Sequence, residues 1–154
     1  MRGQPISSRN NPLVKYLTGL NSPHFRAKAD SFLIEGPKFV ADALESGMEI
    51  IRVVVSEKYQ GGLIRAEKNL EVVHLTERVF KEISDTKTPQ GIIAEARIRW
   101  REIHDLLNSR KHLLVAWGVQ DPGNIGVMTR SAAAFGLGGL VVGAGSASPF
   151  APKA

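Results

Sequence analysis

Asp121-Pro122-Gly123-Asn124 is followed, six residues after the asparagine, by Arg130, in a stretch otherwise almost free of charge. A side-chain oxygen at a helix start can accept from the free N–H groups there. Asn124 could cap in this way, or hold a neighbouring loop through its amide. Six residues turn a helix by about 600°, so Arg130 is offset from Asn124 by roughly 120° and lies nearly two turns deeper. Its neighbours include Ala132, Ala133, Ala134 and Phe135. Burying a guanidinium among such residues is costly unless it meets an anion. A carboxylate of another subunit or a nucleic-acid phosphate would serve, and the planar guanidinium fork suits both. The plain alternative is a capped helix with Arg130 in solvent.

Other chemistries find little support. The chain of 154 residues has no cysteine, which removes thiolate nucleophiles, disulfides and cysteine-bound zinc together. His24, His74, His104 and His112 show no ligand-like clustering, so no metal is expected. Glycines 136, 138, 139, 143 and 145 crowd the C-terminal third, yet no G-x-G-x-x-G follows a strand and opens a helix. No apolar run approaches the roughly 20 residues that span a bilayer, and the N-terminus lacks the apolar core of a secretory signal. A cytoplasmic location fits.

Charge is unevenly placed. Residues 1–40 hold Arg2, Arg9, Lys15, Arg26, Lys28 and Lys38 against Asp30 and Glu35, giving +4 of the net +5. A basic segment at one end suits a polyanion, or is simply a solvated surface.

The elements that position these groups fall into two regions. SFLIEG reads as a short buried strand, and Gly36-Pro37 opens a helix with Phe39, Val40, Ala43 and Leu44 on one face. IIRVVVS, rich in β-branched residues, is a strand. A weaker helix near Leu63 to Lys68, the strand EVVHL, a helix capped by Thr76 and a last strand GIIAEARI follow. Alternation of this kind implies a small layered α/β domain. WREIHDLLNSR, with Trp100, Ile103, Leu106 and Leu107 on one side, reads as a connector helix within 98–112. Residues 113–154 hold eight of the fifteen glycines and one acid, Asp121. LLVAWGV suits a parallel strand buried on both faces; with a helix from Asn124 to Phe135, a Gly136 cap and the strand GLVVG it makes one βαβ unit. Ligands gather beyond the carboxyl ends of such strands, which is where Asp121 to Asn124 falls.

VQDPGNIGVMTRSAAAFGLGGLVVG strongly resembles the first motif of the SpoU/TrmH-type RNA ribose methyltransferases, of the knotted SPOUT class. The matching residues are D-P-x-N at 121–124, glycine at 126, arginine at 130 and A-x-A-F-G at 132–136. ISSRNNPLVKYL, FRAKADSFLIEGPKFVADAL and KTPQGIIAEA look like the RNA-substrate-binding domain that precedes the catalytic one, itself similar to the ribosomal protein L30e fold. The resemblance covers nearly the whole chain. It implies an L30e-like domain over 1–97, a connector over 98–112, and the opening of a SPOUT domain over 113–154. It implies transfer of a methyl group from S-adenosylmethionine to a ribose 2′-hydroxyl, with ribosomal RNA favoured over transfer RNA, and a homodimer. Asn124 and Arg130 match active-site positions. Arg9, Lys15, Arg26, Lys28 and Lys38 are the candidate RNA contacts, with Tyr16 and Phe25 as stacking candidates.

A guanidinium stays protonated at neutral pH, so Arg130 is better suited to gripping a phosphate and stabilising an incipient alkoxide than to acting as a base. Two later family motifs, which form the cofactor pocket, are not in this sequence. The expectation is therefore of a truncated member, inactive by itself, with no cofactor-binding residue assignable. A non-catalytic RNA-binding protein and a partial subunit completed by another chain are the alternatives.

Overall fold

The computed structural model describes residues 4–61 and 70–154, so the helix expected near Leu63 to Lys68 lies outside the described residues. The chain folds as two compact units, Met1–Ile98 and Arg99–Ala154.

In the first unit the basic N-terminal segment forms two helices. Asn11-Pro12 starts α1 (Pro12–Gly19): proline fills the first position and the Asn11 side chain accepts from the Leu13 N–H at 2.9 Å. Ser22-Pro23 starts α2 (Pro23–Ala29), which stops at Asp30 in a left-handed conformation, φ 48°. Asn-Pro and Ser-Pro are both helix-start pairs, and Val14, Leu17 and Leu20 supply the apolar spacing.

The sheet follows the strands read from sequence: β1 (Ser31–Glu35), β2 (Ile50–Ser56), β3 (Glu71–Leu75) and β4 (Ile92–Arg97). Their order is β1-β4-β2-β3, with β4 antiparallel to β1 and β2, and β3 parallel to β2. Side chains alternate across the pleat. Val54 and Ile93 join one core with Val14 and Leu17 from α1, Leu20 at its C-cap, and Val79, Phe80 and Ile83 from α4 (Glu77–Ile83). Val53, Val55, Ile92 and Ala94 face the other way, onto Val40 of α3 (Pro37–Glu45). Ile6 extends the β3 edge through one parallel bridge to Leu75. Thr76 sits at the N-cap of α4 without a side-chain cap bond; the Glu77 N–H is met by Glu57 Oε1 at 3.1 Å instead.

In the second unit, β5 (Leu113–Ala116) and β6 (Gly139–Val142) pair in parallel and are joined by α6 (Pro122–Ala134). This is the expected βαβ order, with α6 beginning two residues before Asn124. Gly136 follows the helix with φ 67°, the left-handed step that releases a chain from a helix. Two expectations are corrected here. β5 is not buried on both faces, because Val115 is 59% exposed and only Ala116 is buried. The connector helix is shorter, α5 (Ile103–Asn108), and its apolar stripe does not share one buried side: Ile103 and Leu107 are exposed. Leu106 is the residue that packs inward, over Gly139, where a Cβ would lie 3.1 Å from its Cδ2.

Candidate functional site

Asp121, not Asn124, caps α6. Its Oδ1 accepts from the Gly123 N–H at 2.8 Å, with Pro122 in the first helical position. One more hydrogen bond anchors the first turns, from Thr129 Oγ1 to the Ile125 carbonyl at 2.8 Å. Ile125, Gly126 and Ala132 form the buried face of the helix. Gly126 is there for close approach: a Cβ on it would lie 2.3 Å from the backbone carbonyl carbon of Ala154. The C-terminal segment therefore lies directly on this helix.

That inward face leaves Asn124 and Arg130 on the outward arc, both exposed, with Val127 exposed between them. Arg130 thus does not incur the burial cost expected from its alanine-rich neighbours. Among the described residues its side chain makes no hydrogen bond or ion pair, and neither does that of Asn124. At the end of a parallel strand, the helix presents one amide and one guanidinium, roughly 120° apart and about 9 Å along the axis.

The five basic residues expected to contact RNA are not one patch. Lys15, Lys28 and Lys38 are exposed. Lys15 rides on α1, which covers one face of the sheet, while Lys38 is on α3, which covers the other. Arg9 is exposed and pairs with Glu82 at 3.4 Å. Arg26 is 3% exposed, and its Nη1 donates to the carbonyls of Leu20 (2.8 Å) and Asn21 (2.9 Å). Those are carbonyls a helix end leaves unsatisfied. The guanidinium is thus turned inward to tie α1 to α2, away from any phosphate. Tyr16 and Phe25, candidate stacking residues, pack edge-to-face on each other with centroids 5.7 Å apart, against the core.

Two groups of polar residues were not singled out by sequence. The first is buried. Glu95 of β4 has no exposed surface; its Oε1 accepts from Tyr16 Oη at 2.7 Å and its Oε2 lies 2.9 Å from Arg52 Nε. Ser31 Oγ joins Tyr16 Oη at 3.1 Å, and Arg52 also reaches Glu71 at 3.5 Å. Burial raises the Tyr16 pKa above the ordinary tyrosine value. The network pins α1 to β1, β2 and β4. The second group surrounds a cleft of about 210 Å³ at the end of the sheet where β2 leaves and β4 enters. There Glu77 pairs with Lys58 and, at 2.9 Å, with Lys81. Hydrogen bonds from Lys58, then from Lys81, hold the Glu77 carboxyl down to about 2. Only the Glu77–Lys81 pair, four residues apart on one helix, had a sequence signal.

Residues 11–94 match the family model described as the MRM3-like substrate binding domain. The chain is 35% identical over 148 residues to the 23S rRNA (guanosine(2553)-2′-O)-methyltransferase RlmP of Bacillus subtilis, covering 96% of this chain and 58% of that protein. It is 26% identical over 157 residues to human mitochondrial rRNA methyltransferase 3, covering 92% of this chain and 35% of the human one. The rRNA methyltransferase of Sinorhizobium meliloti, for which one of two crystal structures holds AdoMet, superposes with a TM-score of 0.80 at 27% identity, over 97% of this chain and 58% of that one. The chain therefore spans about 58% of the Bacillus subtilis relative's length and 35% of the human relative's. Similarity runs through both units, across the substrate-binding sheet and on into the helix that carries Asn124 and Arg130, and so the chain belongs to the SpoU-type RNA methyltransferase family.

Proposed function

We propose that this chain supplies the RNA-gripping unit and the acceptor side of the catalytic unit of an S-adenosylmethionine-dependent methyltransferase acting on ribose 2′-hydroxyls of ribosomal RNA. The observation that carries this reading is the outward arc of α6, where Asn124 and Arg130 stand exposed and unengaged at the carboxyl end of a parallel strand. Methyl transfer requires the 2′-oxygen to lie in line behind the sulfonium methyl, so placement is much of the task. Arg130 grips the phosphate beside the target ribose through its fork and stabilises the 2′-oxygen as its proton passes to solvent and the O–CH3 bond replaces the S–CH3 bond. Asn124 orients the same backbone through its amide. When bound, S-adenosylmethionine supplies the electrophilic methyl.

The loops after β5 and β6 close on one another: Gly118 N–H donates to the Ala144 carbonyl at 3.3 Å, and Ala147 N–H to the Val119 carbonyl at 2.8 Å. A Cβ at Gly143 would lie 2.3 Å from the Trp117 ring. The family implies S-adenosylmethionine as the cofactor.

The working form is a homodimer in the cytoplasm. Val115, Trp117, Val127 and Phe135 of the second unit are exposed apolar residues that an association surface would cover. The cytoplasmic assignment rests on rRNA as the substrate. No helix among the described residues is long and apolar enough to cross a membrane. RNA contact uses Lys15, Lys28, Lys38 and Arg9, without Arg26.

The test is transfer of radiolabelled methyl from S-adenosylmethionine to large-subunit ribosomal RNA by the purified protein. Arg130→Ala should lower turnover by about a hundredfold or more while cofactor affinity changes little. Retained turnover removes Arg130 from the mechanism. RNA binding without any methyl transfer by the unaltered protein would leave RNA binding as the function.

A further inference from the structure

The cleft at the end of the sheet is built from the turn after β2, the start of α4 and the loop into β4. Tyr59 forms one wall and is half-buried against the core. Phe80, fully buried, underlies it. Gln60 and Gln90 stand exposed at its margin, and among the described residues neither side-chain amide is engaged. The Gln90 amide rests over Gly36, where a Cβ would lie 3.1 Å from its side-chain oxygen. Lys58 and Lys81 both pair with Glu77, so their ammonium groups converge on one carboxylate.

Size and charge decide what such a cleft takes. At about 210 Å³ it is smaller than the roughly 300–1,000 Å³ of pockets for drug-sized ligands, so it suits a single heterocycle. It is not a phosphate trap. Two lysines face Glu77, and Glu57, whose carboxylate accepts from the Glu77 N–H, cancels what remains. A neutral planar group with both donors and acceptors on its edge fits better: an aromatic wall to lie against, and two amides that each offer N–H and C=O. Nucleobases have that chemistry, and proteins read RNA chiefly through bases splayed from loops and bulges.

We propose that this cleft holds one unstacked base of the RNA substrate, lying against Tyr59 and read at its edge by Gln60 and Gln90. This rests on the reading of the chain as an RNA-binding methyltransferase unit. It adds a base-selective contact, distinct from the lysines, that favours single-stranded over paired RNA.

The experiment measures binding of the full chain to two RNAs of equal length and charge, a hairpin with a seven-nucleotide loop and a blunt duplex, and to free mononucleotides. The hairpin should bind more tightly than the duplex. Gln60→Ala/Gln90→Ala should weaken hairpin binding about fivefold or more through the loss of two edge hydrogen bonds, and leave duplex binding unchanged. Tyr59→Leu should do the same if folded; the glutamine pair, exposed and unengaged, keeps the test independent of its folding. Equal binding of hairpin and duplex by the unaltered chain would overturn the proposal, as would a double variant that keeps the hairpin preference. Mononucleotides bound as tightly as the hairpin would overturn RNA as the occupant. Should neither RNA bind, the RNA-binding reading itself fails, whereas RNA binding with an indifferent cleft sinks only the base pocket.

Discussion

Glu95→Ala should be the most damaging single substitution in the first unit. The carboxylate has no exposed surface and serves two partners, Tyr16 Oη at 2.7 Å and Arg52 Nε at 2.9 Å. Removing one member of a buried pair costs about 3–5 kcal/mol because the other charge is left stranded. Arg52 retains 20% side-chain exposure and a second carboxylate, Glu71, at 3.5 Å, which places the cost at the lower end, about 3 kcal/mol. Tyr16→Phe removes one hydrogen bond to a charged acceptor, about 1.5 kcal/mol. In the Glu95→Ala background that acceptor is already gone, so the tyrosine substitution should cost far less, with a coupling of about 1 kcal/mol. Urea unfolding of the full chain followed by circular dichroism reads this directly: with m on the order of 1.5 kcal/mol/M, Glu95→Ala lowers the midpoint by about 2 M. A loss below about 0.5 M, or strict additivity of the two substitutions, would refute the network. Stability should also fall at alkaline pH. A phenol whose folded pKa is raised, chiefly by burial, contributes stability that is full below the unfolded value near 10 and is lost as pH rises through the folded value. Tyr16→Phe should flatten that alkaline limb relative to the unaltered chain.

Other consequences are as specific. Glu77 should titrate at about 2 by carbon-detected NMR and move up toward 4.5 in Lys58→Ala or in high salt. Because its pKa is depressed, its contribution is present above the unfolded value and fades as pH falls toward 2; an unshifted titration would break the Lys58–Glu77–Lys81 cluster. Lys15→Ala should reduce the slope of log affinity against log salt by about 1. Arg26→Ala should lower stability by about 1–3 kcal/mol, because it leaves two helix-end carbonyls unmet, with the salt slope unchanged; a slope change would return Arg26 to the interface. Gly126→Ala should release the C-terminal segment from α6, seen as faster amide exchange over residues 148–154, although alanine favours helix by about 1 kcal/mol. Unchanged exchange there would mean that the close approach to Ala154 is not what glycine serves.

Much of the fold was legible because local rules and global packing agree. IIRVVVS becomes β2 since its β-branched residues are buried on both pleat faces, Val53 and Val55 on one and Val54 on the other. Val79, Phe80 and Ile83 enter the core as their helical spacing implies. The misreadings share a cause. Arginine in PHFRAKA looks like lysine in the same segment until the α1 carbonyls it satisfies are in place. Lys15 and Lys38 seem to belong to one basic stretch, yet a sheet lies between the helices that carry them. Glu95 carries no signal in the sequence, because its partners stand at positions 16, 31 and 52 and no local rule connects them. On α6, the motif drew attention to Asn124 and Arg130, but capping went to the nearer carboxylate of Asp121.

The most direct measurement is a map of ribose methylation on ribosomal RNA, read by resistance to alkaline cleavage, in cells lacking this gene. One 2′-O-methyl group should disappear, return when the natural gene is supplied, and stay absent when the supplied copy carries Arg130→Ala. A map that never changes, or one restored equally by the alanine variant, would contradict the role given to the outward face of α6.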